Sequence, residues 1–275
     1  MFSASSGSGT DLSEESNLVE SLGEVRPRSD AVESLQWVRD QLQACPKDFS
    51  TTNGTMFINP EMYKDELPSP IILAFALCTA STSITESNQL MFSRSLNATI
   101  ADLVQHFASE ASIEDELAKL QTILLCEIML SNNGASKERS LAEQRQTLVE
   151  TRALQLLQKL KSETWSPAPI PWKSWILHES VRRTVLLVFL LHSIESISKH
   201  RVCVQIALLS RLPVSSNARF WISEAEYVAG SDDETVRYSA FTDSWVFLAD
   251  RSLDAFERLI LVACKGVEWA SKNCL

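Results

Sequence analysis

Residues 172–199 read Trp172-Lys-Ser-Trp175-Ile-Leu-His178-Glu179-Ser180-Val-Arg182-Arg183-Thr184-Val-Leu-Leu-Val-Phe189-Leu-Leu-His192-Ser-Ile-Glu-Ser-Ile-Ser-Lys199. This is the most hydrophobic of the long helical patterns in the chain. Trp172 and Trp175 lie one turn apart and anchor the start of the helix in a core. Glu179 and Arg183 sit at i and i+4, so they share a face and can pair. The apolar run 185–191 falls far short of the ~20 residues that cross a bilayer, so neither this helix nor any other stretch is expected to span a membrane. Upstream, residues 163–171 read Glu-Thr-Trp-Ser-Pro-Ala-Pro-Ile-Pro. Prolines so closely spaced cannot be helical, so this is a stiff surface connection.

Working outward, helical spacing recurs on both sides. A first helix is expected from about Asp30 to Cys45, with Leu35, Val38 and Leu42 on one face and Pro46 as its stop. Residues 47–67 read as irregular, with Asn53-Gly54 as a turn. Ser69-Pro70 opens a second helix, with Ser as N-cap and Pro at its first position. Residues 71–80 are apolar almost all round, which predicts a central helix. A third covers roughly 88–109, with Leu96, Ile100, Leu103 and Phe107 inward and Met91, Phe92 and Val104 beside them. Ser112 starts a fourth, with Asp115 completing a weak capping box, the stripe Leu117, Leu120, Leu124 and Ile128, and a stop at Asn132-Asn133-Gly134. A fifth runs from about Lys137 to Lys161. Its stripe is Leu141, Leu148, Leu156, Leu157 and Leu160, and its charge predicts half-exposure.

Beyond residue 199 the pattern is shorter. Residues 201–210 are ambiguous between a strand and a buried segment. Shorter helices follow near 217–228, 240–249 and 253–271. The sum is all-α: one large helical domain of about eight helices over residues 29–275, with no convincing sheet. Residues 1–28 are rich in Ser, Gly and acids, and are expected to form a disordered tail.

Composition narrows the function. The formal net charge is −10, and the longest basic run is Arg182-Arg183. A nucleic-acid reader needs a basic stripe that neutralises phosphates, so direct DNA or RNA binding is not expected. The chain has six cysteines, none in a Cys-x-x-Cys pair. Cys78, Cys126, Cys203 and Cys264 fall in apolar stretches and read as buried, reduced thiols.

Catalytic signatures fail at nameable positions. His178-Glu179 begins a two-histidine zinc motif, but the second histidine would have to stand at 182, which is Arg. His106, His178, His192 and His200 are far apart in sequence, and a lone helical histidine reads as a surface or satisfied core residue. No Gly-rich phosphate loop or Gly-x-Ser-x-Gly elbow is present. Asp232-Asp233-Glu234 is the sole candidate for a terpene-cyclase type magnesium site, but Val236 occupies the position of the second acid. No catalytic, cofactor-binding or metal-binding residue is assigned, and no cofactor is expected.

Three segments together resemble a known family. The first is Thr55-Met-Phe-Ile-Asn-Pro-Glu-Met-Tyr63, continuing through Leu67-Pro68-Ser-Pro70-Ile-Ile. The second is Trp172 to Thr184. The third is Leu212-Pro213, then Trp221, with residues 256–266 near the end. In order, on an all-α background, they resemble the regulatory region of fungal zinc-cluster transcription factors. In that family a binuclear zinc cluster, built by six closely spaced cysteines, precedes this region and reads DNA. Here the cysteines are scattered from Cys45 to Cys274, so DNA reading is not carried over.

The resemblance implies a nuclear transcription regulator of zinc-cluster type without its own DNA-binding module. It would act through protein partners, such as a full-length zinc-cluster factor or a second copy, on a secondary-metabolite or other pathway gene set. Within the second segment, Trp172, Trp175, Glu179, Ser180, Arg182, Arg183 and Thr184 are the motif residues, structural or regulatory in role. Two other readings stay open. One is a helical interaction module outside transcription. The other is an enzyme of terpene-cyclase type that draws carboxylates together from distant helices.

Overall fold

The computed structural model describes residues 29–107, 111–131, 139–163, 170–203, 205–230, 235–244 and 253–273. The tail before residue 29, the stop at Asn132-Asn133-Gly134 and the acids Asp232-Asp233-Glu234 lie outside the described residues, as does the side chain of Leu141. The fold is all-α. The long helices are α1 (Ser29–Thr52), α2 (Ser69–Ser81), α3 (Gln89–Gln105), α4 (Ile113–Ser131), α5 (Arg139–Glu163) and α6 (Trp172–His200). Shorter ones follow: α7 (Ile206–Leu209), α8 (Glu224–Ala229), α9 (Tyr238–Ser244), α10 (Ala255–Lys265) and α11 (Val267–Asn273). That makes eleven among the described residues, against about eight expected, because the C-terminal third is cut into short pieces.

Helices α4 and α6 form the centre. α4 is lined by α1, α2, α3, α5 and α6, and Leu117, Leu120, Leu124 and Ile128 are fully buried along it. Its start is set locally: the Asp115 amide donates to Ser112 Oγ at 3.1 Å. Glu114, Asp115 and Glu116 fill the first turn, where carboxylates favour the positive end of the helix dipole. α6 runs against α5 on one side and the 3-10 turn Pro60–Tyr63 on another. Its apolar run 185–191 is buried throughout.

Several expectations are corrected. Helix α1 does not stop at Pro46 but continues to Thr52. Proline removes one backbone bond from the helix and costs ~3 kcal/mol there. The extra turns bury Phe49, whose ring meets Phe75 edge-on at 6.1 Å. The hydroxyls of Ser50, Thr51 and Thr52 donate back to the carbonyls of Lys47 and Asp48. Asn53 then ends the helix at φ 57, and its amide donates to the Phe49 carbonyl at 3.1 Å. The Asn53-Gly54 turn is where the sequence put it.

Helix α2 is not central. Only Ile71, Ala74 and Cys78 are buried, while Ile72, Leu73 and Phe75 remain exposed. Its N-cap is Pro68, and Ser69 is already helical. Hydrophobicity all round therefore did not determine position: α2 is short and has neighbours on one edge only. Met91 is likewise exposed rather than packed beside the α3 stripe. In α5 Leu156, Leu157 and Leu160 are buried as expected, and the stripe departs by one residue only at its N-terminal half. Val149 is fully buried and Leu148 is 41% exposed, because Ala153, Leu156 and Leu160 set the inward face.

Residues 206–209 form the single turn α7 rather than a strand. A small sheet exists after all: β1 (Pro213–Ser215) pairs antiparallel with β2 (Thr235–Arg237), placing Val214 opposite Val236. The region near 217–228 is a 3-10 turn, Ala218–Trp221, followed by α8. The helix expected over 253–271 is two helices broken at Gly266, whose φ of 90 suits a residue without Cβ. The Val267 amide there donates to Ser34 Oγ of α1 at 2.9 Å.

Cys45, Cys78 and Cys126 are buried thiols, and burial pushes Cys78 up to about 12. Cys203 is only half-buried and Cys264 is exposed, which corrects the expectation for both. Cys264 stands in the last turn of α10, beyond its buried residues, which end at Val262. No described helix is long and apolar enough to cross a membrane.

The one-residue shift in α5 is testable by urea unfolding. Val149→Ala is expected to cost about 1–3 kcal/mol, and Leu148→Ala to stay within about 0.5 kcal/mol of wild type. The reverse order would refute this register.

Candidate functional site

The motif residues of α6 gather around one buried cation. Arg183 is 1% exposed, so its charge must be met by protein groups. One helical turn back, Glu179 Oε1 accepts from Arg183 Nε at 2.8 Å. Glu179 Oε2 accepts from Arg182 Nε at 2.8 Å, so one carboxylate serves both arginines. Asp254, from just before α10, places Oδ2 2.7 Å from Arg183 Nη2. The Met56 carbonyl accepts from Nη1 at 3.0 Å. Two rings close the faces of the guanidinium: Trp221 at 4.2 Å and Phe256 at 4.7 Å to the centroids. Flat cations stack well on aromatic rings in this way. Burial alone disfavours the charge, but Asp254 and then Glu179 more than offset this and hold the pKa of Arg183 above its usual value.

The other motif residues brace the surroundings. Trp175 is buried and packs edge-on to Phe220 at 5.6 Å, with Tyr227 at 5.8 Å. Trp172 is half-buried, and its indole Nε1 donates to the Phe220 carbonyl at 2.8 Å. Thr184 Oγ1 accepts a long bond from Gln121 Nε2 at 3.4 Å. Gln121 also donates to the Phe57 carbonyl and accepts from Tyr63 at 2.6 Å. Ser180 is fully buried, and its hydroxyl has no hydrogen-bond partner among the described residues.

The geometry unites the three resembling segments. Met56 comes from the first, Arg183 from the second, and Trp221 and Phe256 from the third. Asn59 Nδ2 reinforces the first link by donating to the Trp221 carbonyl at 2.8 Å. Asp254 is the partner that sequence reasoning missed. Its signal was present: Asp254 and Glu257 have capping-box spacing, and both reciprocal bonds form. What could not be read was that its second oxygen would reach Arg183, a residue on another helix.

A second buried polar centre lies further along α6. His192 Nδ1 is 2.8 Å from Glu150 of α5, and its Nε2 is 3.1 Å from Glu127 of α4. Gln146 and Gln205 also bond Glu150 Oε1. This is a satisfied core histidine. Burial opposes its charge, but Glu127 and Glu150 reverse that and push it up to about 9. With carboxylates on both nitrogens, the ring offers no open lone pair to a metal. Among the described residues, no cluster of His, Cys, Asp or Glu is arranged for one.

A shallow cleft of about 200 Å³ opens between Glu61, Asp65, Glu114, Lys173 and Leu177. Lys173 is already paired with Asp65 there. Ligand pockets usually offer ~300–1,000 Å³, so this cleft is too small for a typical substrate.

Two measurements test this reading. Arg183→Ala should cost about 3–5 kcal/mol by urea unfolding, because it strands Asp254 and half of Glu179. Arg182→Ala should cost about 1–2 kcal/mol, since Glu179 keeps Arg183. For His192, stabilisation by the charged ring is complete below its ordinary value of 6.5 and is lost as pH rises through about 9. Glu150 acts on the other side: held below its ordinary 4.5 by His192, Gln146 and Gln205 despite burial, it contributes stability that is lost as pH falls. His192→Gln should therefore flatten the alkaline limb of a stability–pH curve, and an unchanged limb would refute the clamp.

No protein-family model matches the chain, and no solved structure matches it. Among curated proteins, the chain is similar to the transcription factor gsfR2 of Penicillium aethiopicum, at 25% identity over 206 residues. The match covers 70% of this chain and 49% of that protein, so the chain spans about half the length of the curated relative it matches. Its likeness is therefore to part of a fungal transcription factor, on an all-α fold.

Proposed function

We propose that these residues act as the helical regulatory region of a fungal transcription regulator of zinc-cluster type. In this reading the protein works in the nucleus, through protein partners such as a full-length zinc-cluster factor or a second copy, and governs a pathway gene set such as one for a secondary metabolite. The observation that carries it is the similarity to gsfR2. A second feature supports it: the segments that resemble the family's regulatory region converge on Arg183.

The chemistry of the described residues favours regulation over catalysis. Both buried charged centres are internally satisfied, each carboxylate and nitrogen facing another group of the protein. A catalytic acid or base needs a free face toward a substrate. The net charge of −10 also opposes phosphate contact by this chain.

Deleting the gene and sequencing transcripts is expected to change a coherent gene set by several-fold. Unchanged transcripts across growth conditions would overturn the proposal. In a gel shift at physiological salt, the purified 275 residues should not bind DNA sequence-specifically. Nanomolar specific binding would refute action through partners.

A further inference from the structure

The turn that ends α1 brings a reactive pair of residues together. Asn53 is exposed and stands at φ 57, in the left-handed region that closes many helices and that asparagine tolerates better than most residues with a Cβ. Gly54 follows, buried beneath the next loop. A Cβ built on Gly54 would lie 2.8 Å from Pro60 Cγ and 3.2 Å from the Ile58 carbonyl oxygen, so packing forbids a side chain there. In an Asn-Gly pair the glycine nitrogen can close a ring onto the preceding carboxamide with no Cβ to crowd it. The packing that demands glycine at 54 therefore also leaves that ring closure unhindered.

The carboxamides of this chain are not equally available. Asn59 is buried, its side chain donates to the Trp221 carbonyl and accepts from the Glu61 amide, and Pro60 after it has no N–H to react. Asn88 accepts from the Thr85 amide and donates to the Ser83 carbonyl. Asn97 lies inside α3, held by the Ser93 carbonyl and by Arg145. The Asn53 carboxamide makes no hydrogen bond among the described residues, and neither does the Gly54 N–H.

We propose that Asn53 is a site of spontaneous deamidation in the folded protein, and that its isoaspartyl product releases the first motif segment from Arg183. The proposal stands apart from the functional reading above and needs no partner, oxidant or cofactor. The Gly54 nitrogen attacks Asn53 Cγ and forms a C–N bond. The carboxamide C–N bond breaks, and ammonia leaves with the proton that Gly54 loses. Water then opens the cyclic imide at one of its two carbonyls. Opening at Cγ gives aspartate, and opening at the main-chain carbonyl gives isoaspartate, whose backbone runs through Cβ and Cγ. Overall one water is consumed and one ammonia is released.

The loop beyond Asn53 has little slack to absorb that extra backbone atom. The Thr52 hydroxyl donates to the Gly54 carbonyl at 3.2 Å, and the Thr55 amide donates to the Ile58 carbonyl at 2.9 Å. The Thr55 hydroxyl accepts from the Phe57 and Ile58 amides. Within the same loop the Met56 carbonyl meets Arg183. A longer backbone at 53 drives Gly54 against Pro60 and carries the Met56 carbonyl off the guanidinium. The new carboxylate adds to the misfit, because it stands at the C-terminal end of α1, where the helix dipole is negative and the last turn holds no basic residue.

Peptide mapping of the purified chain, kept folded at neutral and at mildly alkaline pH, tests the reaction. The peptide of residues 48–64 is expected to gain one mass unit, located at Asn53 by fragmentation, and to accept methyl groups from an isoaspartyl methyltransferase. The gain should be faster at alkaline pH, where the attacking nitrogen loses its proton more readily. Asn59, Asn88 and Asn97, each held by hydrogen bonds, should react at least about tenfold slower. Asn133-Gly134, outside the described residues, falls in a separate peptide and is scored by itself. Asn53→Gly suits the left-handed turn and should abolish the gain at 53. Aged wild type should show faster amide exchange over residues 55–63 and unfold at lower urea than fresh protein, whereas aged Asn53→Gly should do neither. Asn53→Asp, which carries the charge without the extra atom, should lose less than aged wild type. An Asn53 that reacts only after unfolding in urea overturns the proposal. Aged protein that carries isoaspartate at position 53 but exchanges and unfolds like fresh protein overturns the release from Arg183.

Discussion

A guanidinium that water cannot reach must be met on every side by protein, and Arg183 imposes that requirement on this fold. It needs an anion within its own helix, which Glu179 supplies, and a second from elsewhere, which Asp254 supplies. It needs a carbonyl for a remaining N–H and flat surfaces for its two faces, which Met56, Trp221 and Phe256 supply. Those groups come from loops and turns on both sides of α6 in sequence, and apolar packing alone would leave them free to slide. The four charges Glu179, Arg182, Arg183 and Asp254 sum to zero, so the cluster can be buried without a net charge in the core.

His192 completes the logic of α6. It stands nine residues after Arg183, which at ~100° and ~1.5 Å per residue is the opposite face, about 13 Å along the axis. Arg183 fastens one face to the loop before α2 and to the start of α10. His192 fastens the other to α4 and α5, and through Glu150 to Gln205 at α7. The central helix is thus pinned by one buried charge on each face. A hydrophobic post could rotate or shift by a turn at modest cost, whereas moving this one strands an ion.

This division explains what was legible in the sequence. Periodicity located α1, α3 and α4, because each has a stripe or a local cap, and α6 was located by its long hydrophobic run after the proline-rich segment. The i,i+4 relation of Glu179 and Arg183 was legible because it lies within one helix. Asp254 was not, because its distance from Arg183 is fixed by packing and not by spacing. The misplacement of α2 has a different cause. A segment apolar all round carries no sidedness, so nothing in residues 71–80 distinguishes a core helix from one that awaits a cover. Leu148 and Val149 show the same limit on a smaller scale: adjacent apolar residues differ by 100° of rotation, and only the neighbours decide which turns inward. Pro46 shows local preference overruled, since the turns beyond it bury Phe49.

Charge and hydrophobicity are therefore placed against their usual preferences in two regions, and the two differ in kind. Inside, polar groups are buried but matched to one another, so they specify geometry and have little left to offer a ligand. Outside, the apolar surface of α2 is unmatched, so it retains free energy that only a partner can release. Closed ionic centres and an exposed apolar face on α2 fit the partner-based reading proposed above. That asymmetry arises from the residues themselves and points to the same kind of function as the similarity to a transcription factor.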